Sequence, residues 1–467
     1  MSKNYKLDPI ETPGYCHVGG LTAESADVAS RILTANRTAY HVFTTHFDLM
    51  GAYLHNHIAH HIVTLWALGA SPDTMIFHKK NNENYQILPR KFVDEPIVAE
   101  MATDEGIRKY RGSLDHFLDF TTFFEREIDR LGYQAVLQKY MVGGSEIADD
   151  ILGRMYHGYV HSFMYMGQGL EFKQEPLLAE GLAQALSHDD MYYNDFLFHT
   201  ENKARLGQDS ALSLAECMDE CRKDPVISTC SDVDVHFQVV SGGWKVEKEM
   251  IRDYVCGPGF DAMSRVCARY RVDPNDLDRA TAELINTSVY MSASAQKPPF
   301  QCRYDFFLIH STNSTIWQTA FTNEPSLTNL QKARLIEYSG RVMLMLYAGM
   351  GCPEPRLDWL LSQPPKEPGS DWARVIERVC QHKDDGHMAK LVRVIRHAEE
   401  VSRPYDSRPE FRLKQHMFLP AAQAAVDSGT DRPMEGVFHF DFVRGAAWPE
   451  AWEKSDFPKR DDQEVAA

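Results

Sequence analysis

Six of the chain's twenty histidines fall within residues 41–70, HVFTTHFDLMGAYLHNHIAHHIVTLWALGA. Apolar residues at Leu54, Ile58, Ile62, Leu65 and Leu68 keep a helical period and Gly69 is a stop signal, so the stretch predicts one long helix. Residues four apart on a helix stack on one face, roughly 6 Å apart along the axis. His57 and His61 therefore read as a pair of ligand nitrogens, with His60 about a hundred degrees around the axis from His61. A lone helical histidine is ordinarily a hydrogen-bonded or solvated polar residue. His55, His57, His60 and His61 on one strongly apolar segment are harder to place that way. Burying imidazoles costs free energy unless each finds a partner, and a metal ion satisfies several at once.

The rest of the chain reads as helix upon helix. Periodic segments at 22–35, 115–130, 132–141, 145–166, 171–187, 211–222, 245–254, 273–293, 303–321, 328–349, 372–382 and 385–401 predict a mostly helical, all-α fold. Strand signals are rare, and neither an internal repeat nor a linker stands out, so residues 1–467 are expected to form a single large helical domain. Three parts of it look irregular. Residues 1–20 form an extended arm, and 402–467 a C-terminal extension. Residues 71–100, broken by Pro72, the Asn81–Asn84 run, Pro89 and Pro96, look like a lid-like connection.

A net charge of −17 argues against nucleic acid or an anionic membrane as partner, since phosphate binding needs a basic surface. Small neutral aromatic molecules remain open. Nine cysteines without a CxxC pair, no apolar signal core and no run near 18 apolar residues fit a soluble, reduced, cytoplasmic protein. Cys217 and Cys221, four apart, suit helix packing.

Three further clusters carry chemistry. In MYHGYVHSFMYMGQGLEF, His157 and His161 are four apart with Tyr165 a turn beyond, which predicts two imidazoles and a phenol on one face. Gly167 and Gly169 admit a close neighbour. The bland alternative is hydrogen bonding of His161 and Tyr165 across helices. In DFFLIHSTN, His310 follows apolar residues and Asn313 lies one turn on. There a buried neutral histidine is the competing reading. In DDGHMAKLV, His387 and Lys390 share a helix face. A lysine facing an interior is unusual, because burying the ammonium lowers its pKa. A neutral lysine can act as a base, or add carbon dioxide to become a metal-binding carbamate.

Taken together, the HNH…HH helix ending in LWALGA, GQGLEF, FFLIH and DDGHMAKLVR resemble the fungal questin oxidase-like family from the histidine helix to Arg396, with FVRGAAWPEAWEK matching beyond it. The resemblance implies an oxygenase of aromatic polyketide metabolism. Such an enzyme opens an anthraquinone ring, or its hydroquinone, by oxidative C–C cleavage of Baeyer–Villiger or dioxygenase type. It implies non-haem Fe(2+) and O2, with NADPH entering only through a separate reductase partner. No flavin is expected, and no GxGxxG follows a strand. Carried residue by residue, the ligands are His161, His310, His387 and a carboxylated Lys390, with His57 or His61 from the first helix. His157, Tyr165 and Asn313 are the candidate catalytic residues. Tyr165 stands where a second histidine occurs in an HPLIHLGYGLEF-like run, and is expected to shape the substrate pocket.

Neutral imidazoles with one anionic oxygen ligand suit iron(II). A zinc hydrolase would use the same histidines with a metal-bound water and Glu171 as base, although HExxH is absent. A non-catalytic scaffold would leave the histidines as core polar residues.

Overall fold

Thr22 ends the N-terminal arm by accepting the amide of Ser25 on its hydroxyl, and helix Ala23–Ala39 follows. That pattern, an oxygen-bearing cap followed by an amphipathic helix, recurs through the chain. The computed structural model describes residues 4–44, 54–89, 92–188, 192–207, 209–232, 248–429, 441–455 and 457–460. The fold is mostly all-α. Among the described residues the only sheet pairs Phe43–Thr44 with Leu54–His55, antiparallel. None of their helices is long and apolar enough to cross a membrane. None of the nine cysteines is in a disulfide, and Cys217 and Cys221 pack in the core on helix Leu214–Lys223.

The residues group into two compact units. Of the described residues, the first draws on those within 4–44, 54–197 and 317–335, the second on those within 198–316 and 336–460. In the first, helix His157–Glu171 packs on Glu175–Ser187, which packs in turn on Phe117–Leu131. Helix Ile58–Ala67 lies against Ala23–Ala39, Pro72–Glu83 and His157–Glu171. In the second, Leu277–Ser294 packs against Leu308–Thr315 and His387–Ser402. Helix Phe418–Asp427, within what the sequence suggested was an extension, covers His387–Ser402.

The structure corrects three local expectations. Helices Pro72–Glu83 and Glu95–Glu100 occupy both ends of residues 71–100, where an irregular connection was expected. Ser71 and Asp94 cap them by accepting the amides of Thr74 and Ile97, and Pro72 and Pro96 sit in the first turn. There the missing N–H costs nothing, so these prolines start helices instead of breaking them.

The histidine helix is shorter than its apolar period suggests. It spans Ile58–Ala67, with His57 at its N-cap and strand Leu54–His55 before it. Residues 45–53, with His46, lie outside the described residues, as do 245–247 of the segment predicted at 245–254.

The helix expected over 145–166 is two helices, Glu146–Arg154 and His157–Glu171. Gly158, Tyr159 and Val160 stand in left-handed backbone at φ 56, 54 and 67°, which resets the phase before His161. Gly158 bears this without a side-chain penalty, whereas Tyr159 and Val160 each store roughly 1–2 kcal/mol of strain.

Candidate functional site

In the first unit, the left-handed turn aims His161 at His57. His161 Nδ1 lies 2.6 Å from the Gly158 carbonyl, which can only accept, so this nitrogen carries the proton. In the neutral ring Nε2 is then a bare lone pair, and it meets His57 Nε2 at 2.8 Å. His60, one turn along from His57, completes the group: the candidate ligand nitrogens of His57, His60 and His161 all lie within 4.8 Å of one another. All three rings are buried. His55 stacks flat on His161, centroids 3.9 Å apart and planes 6° from parallel.

Tyr165 packs edge-on against His60 at 4.7 Å, and its hydroxyl donates to the Asn56 carbonyl at 3.4 Å. Burial, together with the charge of Glu180, pushes its phenol well above the ordinary value. It therefore stays protonated as a donor.

The expected His57/His61 pair does not form a common face. His57 is the cap, not a member of the helix, and its carbonyl accepts the His61 amide at 2.9 Å. His61 turns toward helix Pro72–Glu83 instead, with Nδ1 3.1 Å from Asn82 Nδ2 and its ring 4.5 Å from His78. His157 is likewise separated from His161 by the turn and packs on Tyr192 and Tyr193 at 4.9 and 5.1 Å.

In the second unit His310 and His387 meet, Nε2 to Nε2, at 3.1 Å. Both have their other nitrogen committed. His310 Nδ1 lies 2.6 Å from the Phe306 carbonyl, and His387 Nδ1 bonds the Asp385 carboxylate. Both acceptors fix the proton on Nδ1, so two lone pairs face each other unless a proton or a cation lies between them.

The Asp384-Asp385-Gly386 start is now legible. Asp384 accepts the amides of Gly386 and Met388 and so caps helix His387–Ser402, while Asp385 orients His387. Gly386 supplies φ 97°, which a side chain would resist. Asp305 plays a similar part upstream of His310. Its carboxylate accepts Phe307 and Leu308 on one oxygen, Gly445 and Ala446 on the other, tying the FVRGAAW segment to the start of this helix.

Lys390 is buried at 2% exposure, and its Nζ has no hydrogen-bond partner. Burial pulls its pKa down to about 8, although the Asp385 and Asp384 charges oppose the fall. The Asn313 side-chain nitrogen donates to the His387 carbonyl at 3.4 Å. Asn313 thus steadies the helix that carries His387.

Glu171, the base a zinc hydrolase would need, is occupied otherwise: one oxygen accepts the Tyr15 amide at 2.8 Å, the other the Trp317 indole N–H at 2.9 Å. The sequence offered no sign of the Glu180–Arg37–Tyr5 cluster in the first unit. Asp385 was legible in principle, as a carboxylate two residues before a histidine at a helix start.

The family model described as Questin oxidase-like matches residues 54–395, a span that takes in both histidine groups, Asp385 and Lys390. The chain belongs to the questin oxidase-like family. It is 32% identical to Oxidoreductase AflY of Aspergillus parasiticus, over 91% of this chain and 83% of that one. It is 32% identical to Questin oxidase of Aspergillus fumigatus, over 91% and 93%. To Baeyer-Villiger oxidase ptaJ of Pestalotiopsis fici it is 31% identical, over 92% and 93%. This questin oxidase-like protein is an oxidoreductase.

Proposed function

We propose that the protein opens a ring of a phenolic anthraquinone, supplied as its hydroquinone, by oxidative C–C cleavage with O2 at non-haem iron. The names of the relatives, questin oxidase and Baeyer-Villiger oxidase, supply the reaction class. The observation that carries the metal is the protonation pattern. His161, His310 and His387 each give Nδ1–H to a carbonyl or carboxylate and turn a bare Nε2 inward. Metal-bound histidines are oriented in this way.

The donor types suit iron(II) in each unit taken singly: His57, His60 and His161 in the first, and the facing His310 and His387 in the second, to which we add a carboxylated Lys390. Iron bound there supplies the O2 chemistry that no side chain provides. Lys390 suits carboxylation because its amine is buried, has no hydrogen-bond partner and loses its proton more readily than an ordinary lysine. The amine nitrogen bonds to the carbon of CO2 and a proton leaves, turning a buried cation into an anionic oxygen ligand. The chain's own residues do the positioning. Asp385 and the Phe306 and Gly158 carbonyls hold the ring protons at Nδ1. Tyr165 keeps its proton beside His60. Electrons that reduce the anthraquinone come from a separate NADPH-dependent reductase.

The test is turnover of a chemically reduced hydroxyanthraquinone, freed of reductant, in air and without nucleotide. Protein purified without added metal should contain iron and release a ring-opened product with uptake of O2. Full activity of iron-free protein, or turnover that demands NADPH bound by this chain, would overturn the reading.

A further inference from the structure

The first unit contains a cavity of about 400 Å³ that no part of the histidine chemistry explains. Exposed Thr38, Arg126 and Asp129 line its mouth. Phe117 and Leu118 give it an apolar wall, and its floor is polar: Asn36, Asn56, Tyr165 and Glu180, all buried. The volume falls in the range of small-molecule sites, roughly 300–1,000 Å³.

That floor is rigid. Asn56 donates to Asn36 Oδ1 at 2.9 Å and to the His41 carbonyl at 3.2 Å, while its own side-chain oxygen accepts the Ile58 amide at 3.0 Å. It is also close to the histidine group, because Tyr165 both lines the cavity and packs edge-on against His60.

We propose that this cavity receives the phenolic edge of the aromatic substrate and that Glu180 accepts its hydroxyl proton. The inference deepens the proposed function and rests on the substrate being a phenol. The O–H bond breaks, the proton passes to the Glu180 carboxylate, and the electron pair stays on the phenolate oxygen. No oxidant enters this step, and an electron-rich phenolate is the form more readily oxidised afterwards.

The geometry suits a base. Arg37 Nε lies 2.7 Å from Glu180 Oε1, and the Tyr5 hydroxyl donates to the same oxygen at 2.9 Å. Both contacts fall on Oε1, and Glu180 is among the residues that line the cavity. Arg37 is shared with Glu125 of helix Phe117–Leu131, so one guanidinium serves two carboxylates. Around Glu180 stand Tyr5 from the arm, Arg37 from helix Ala23–Ala39, Glu125 from Phe117–Leu131 and Tyr165 from its neighbouring helix. Burial outweighs Arg37 and the Tyr5 bond and, with Glu125, lifts the carboxyl to about 7. A general base is most effective when its pKa is near the working pH.

The probe is oxidised 2-hydroxyanthraquinone, which needs neither iron nor turnover and whose visible band moves to the red on ionisation. At pH 7.5 the wild-type protein should bind it as the phenolate. Glu180→Gln should bind it as the neutral phenol, and Glu180→Asp should restore part of the red-shifted band. Thr122→Trp, which fills the cavity from its wall, should weaken binding at least tenfold with iron content unchanged. With the reduced substrate, the rise of wild-type kcat/KM through pH 7 should vanish in Glu180→Gln. A neutral phenol spectrum or no binding in the wild type, a phenolate spectrum kept in Glu180→Gln, or undiminished binding to Thr122→Trp would overturn the proposal. Should Glu180→Gln fail to fold, Glu180→Asp and the wild-type spectrum between pH 5 and 9 decide the matter. Iron assays on the same preparations separate this outcome from failure of the iron reading.

Discussion

His310 and His387 face each other through Nε2 at 3.1 Å while each donates its Nδ1 proton elsewhere. Two neutral rings in that state repel, so the pair calls for a proton or a metal cation between them. Asp385 makes the demand specific to His387, because it fixes which nitrogen is bare. Asp385→Asn replaces a carboxylate acceptor with a neutral amide that can also turn its N–H toward the ring. Iron affinity should fall about 10- to 100-fold, as for other changes behind a metal-bound histidine. Iron titration of the apoprotein reads this, and helix content by circular dichroism should hold. Unchanged affinity would remove Asp385 from the site.

Lys390 has a signature in stability. Its folded pKa of about 8 lies below the ordinary lysine value of 10.5. Below pH 8 both folded and unfolded chains hold the proton, and the buried charge costs folding in full. Between pH 8 and 10.5 the unfolded chain binds more protons, so stability rises with pH there. In metal-free protein kept free of CO2, the stability deficit of the wild type against Lys390→Met should shrink by about 2 kcal/mol from pH 7.5 to 10. Urea unfolding at both values measures it. A deficit independent of pH would mean that Lys390 is solvated.

Glu171 separates oxidative from hydrolytic chemistry. Glu171→Ala strands the buried Trp317 indole N–H, at a cost of roughly 1–3 kcal/mol, and frees the Tyr15 amide of the more exposed arm. Thermal unfolding should show that loss, while kcat per folded molecule stays within about twofold. Collapse of kcat with stability intact would return Glu171 to the role of base.

The turn before His161 can be tested against a roomy control. A Cβ at Gly158 would stand 2.4 Å from His188 Cε1 and 2.7 Å from His55 Cε1, at φ +56°. At Gly132, φ +81°, nothing lies within 4 Å. Gly132→Ala should therefore cost only backbone strain, roughly 1–3 kcal/mol at φ 81°, ψ 149°, whereas Gly158→Ala adds overpacking of about 1–3 kcal/mol to about 1–2 kcal/mol of αL strain. Gly158→Ala should also lower metal affinity by shifting His161. Equal melting temperatures for the two variants would refute the packing account.

Helices with a long, unbroken apolar period, such as Asn329–Gly349 and Leu277–Ser294, were legible within a few residues. The misreadings share a cause: punctuation residues act by position. Pro72 and Pro96 are stops in a helix interior but starts in a first turn, and only the capping oxygens of Ser71 and Asp94 distinguish the cases. The spacing rule failed at His57/His61 and His157/His161 because it assumes one uninterrupted helix. A cap intervenes in the first pair, and three left-handed residues in the second. Glu180 was invisible for a different reason. Its partner Tyr5 is 175 positions away, and nothing local to either marks the meeting. Nor does composition mark the division into two units: two of its boundaries fall inside helices Tyr192–Leu206 and Asn329–Gly349, and another at residues 316–317.

The left-handed residues 158–160 have a meaning for anyone who would move this chemistry onto another scaffold. The Phe163 amide reaches back across them to the Met155 carbonyl at 3.1 Å, and the Gly158 carbonyl holds the His161 ring. Met155 to Phe163 is thus latched on itself, while the Met155 and Tyr156 amides still bond back to Ile151 and Gly153 at the end of helix Glu146–Arg154. A graft that copied the ideal helix implied by HGYVH would carry every residue across and leave His161 pointing the wrong way.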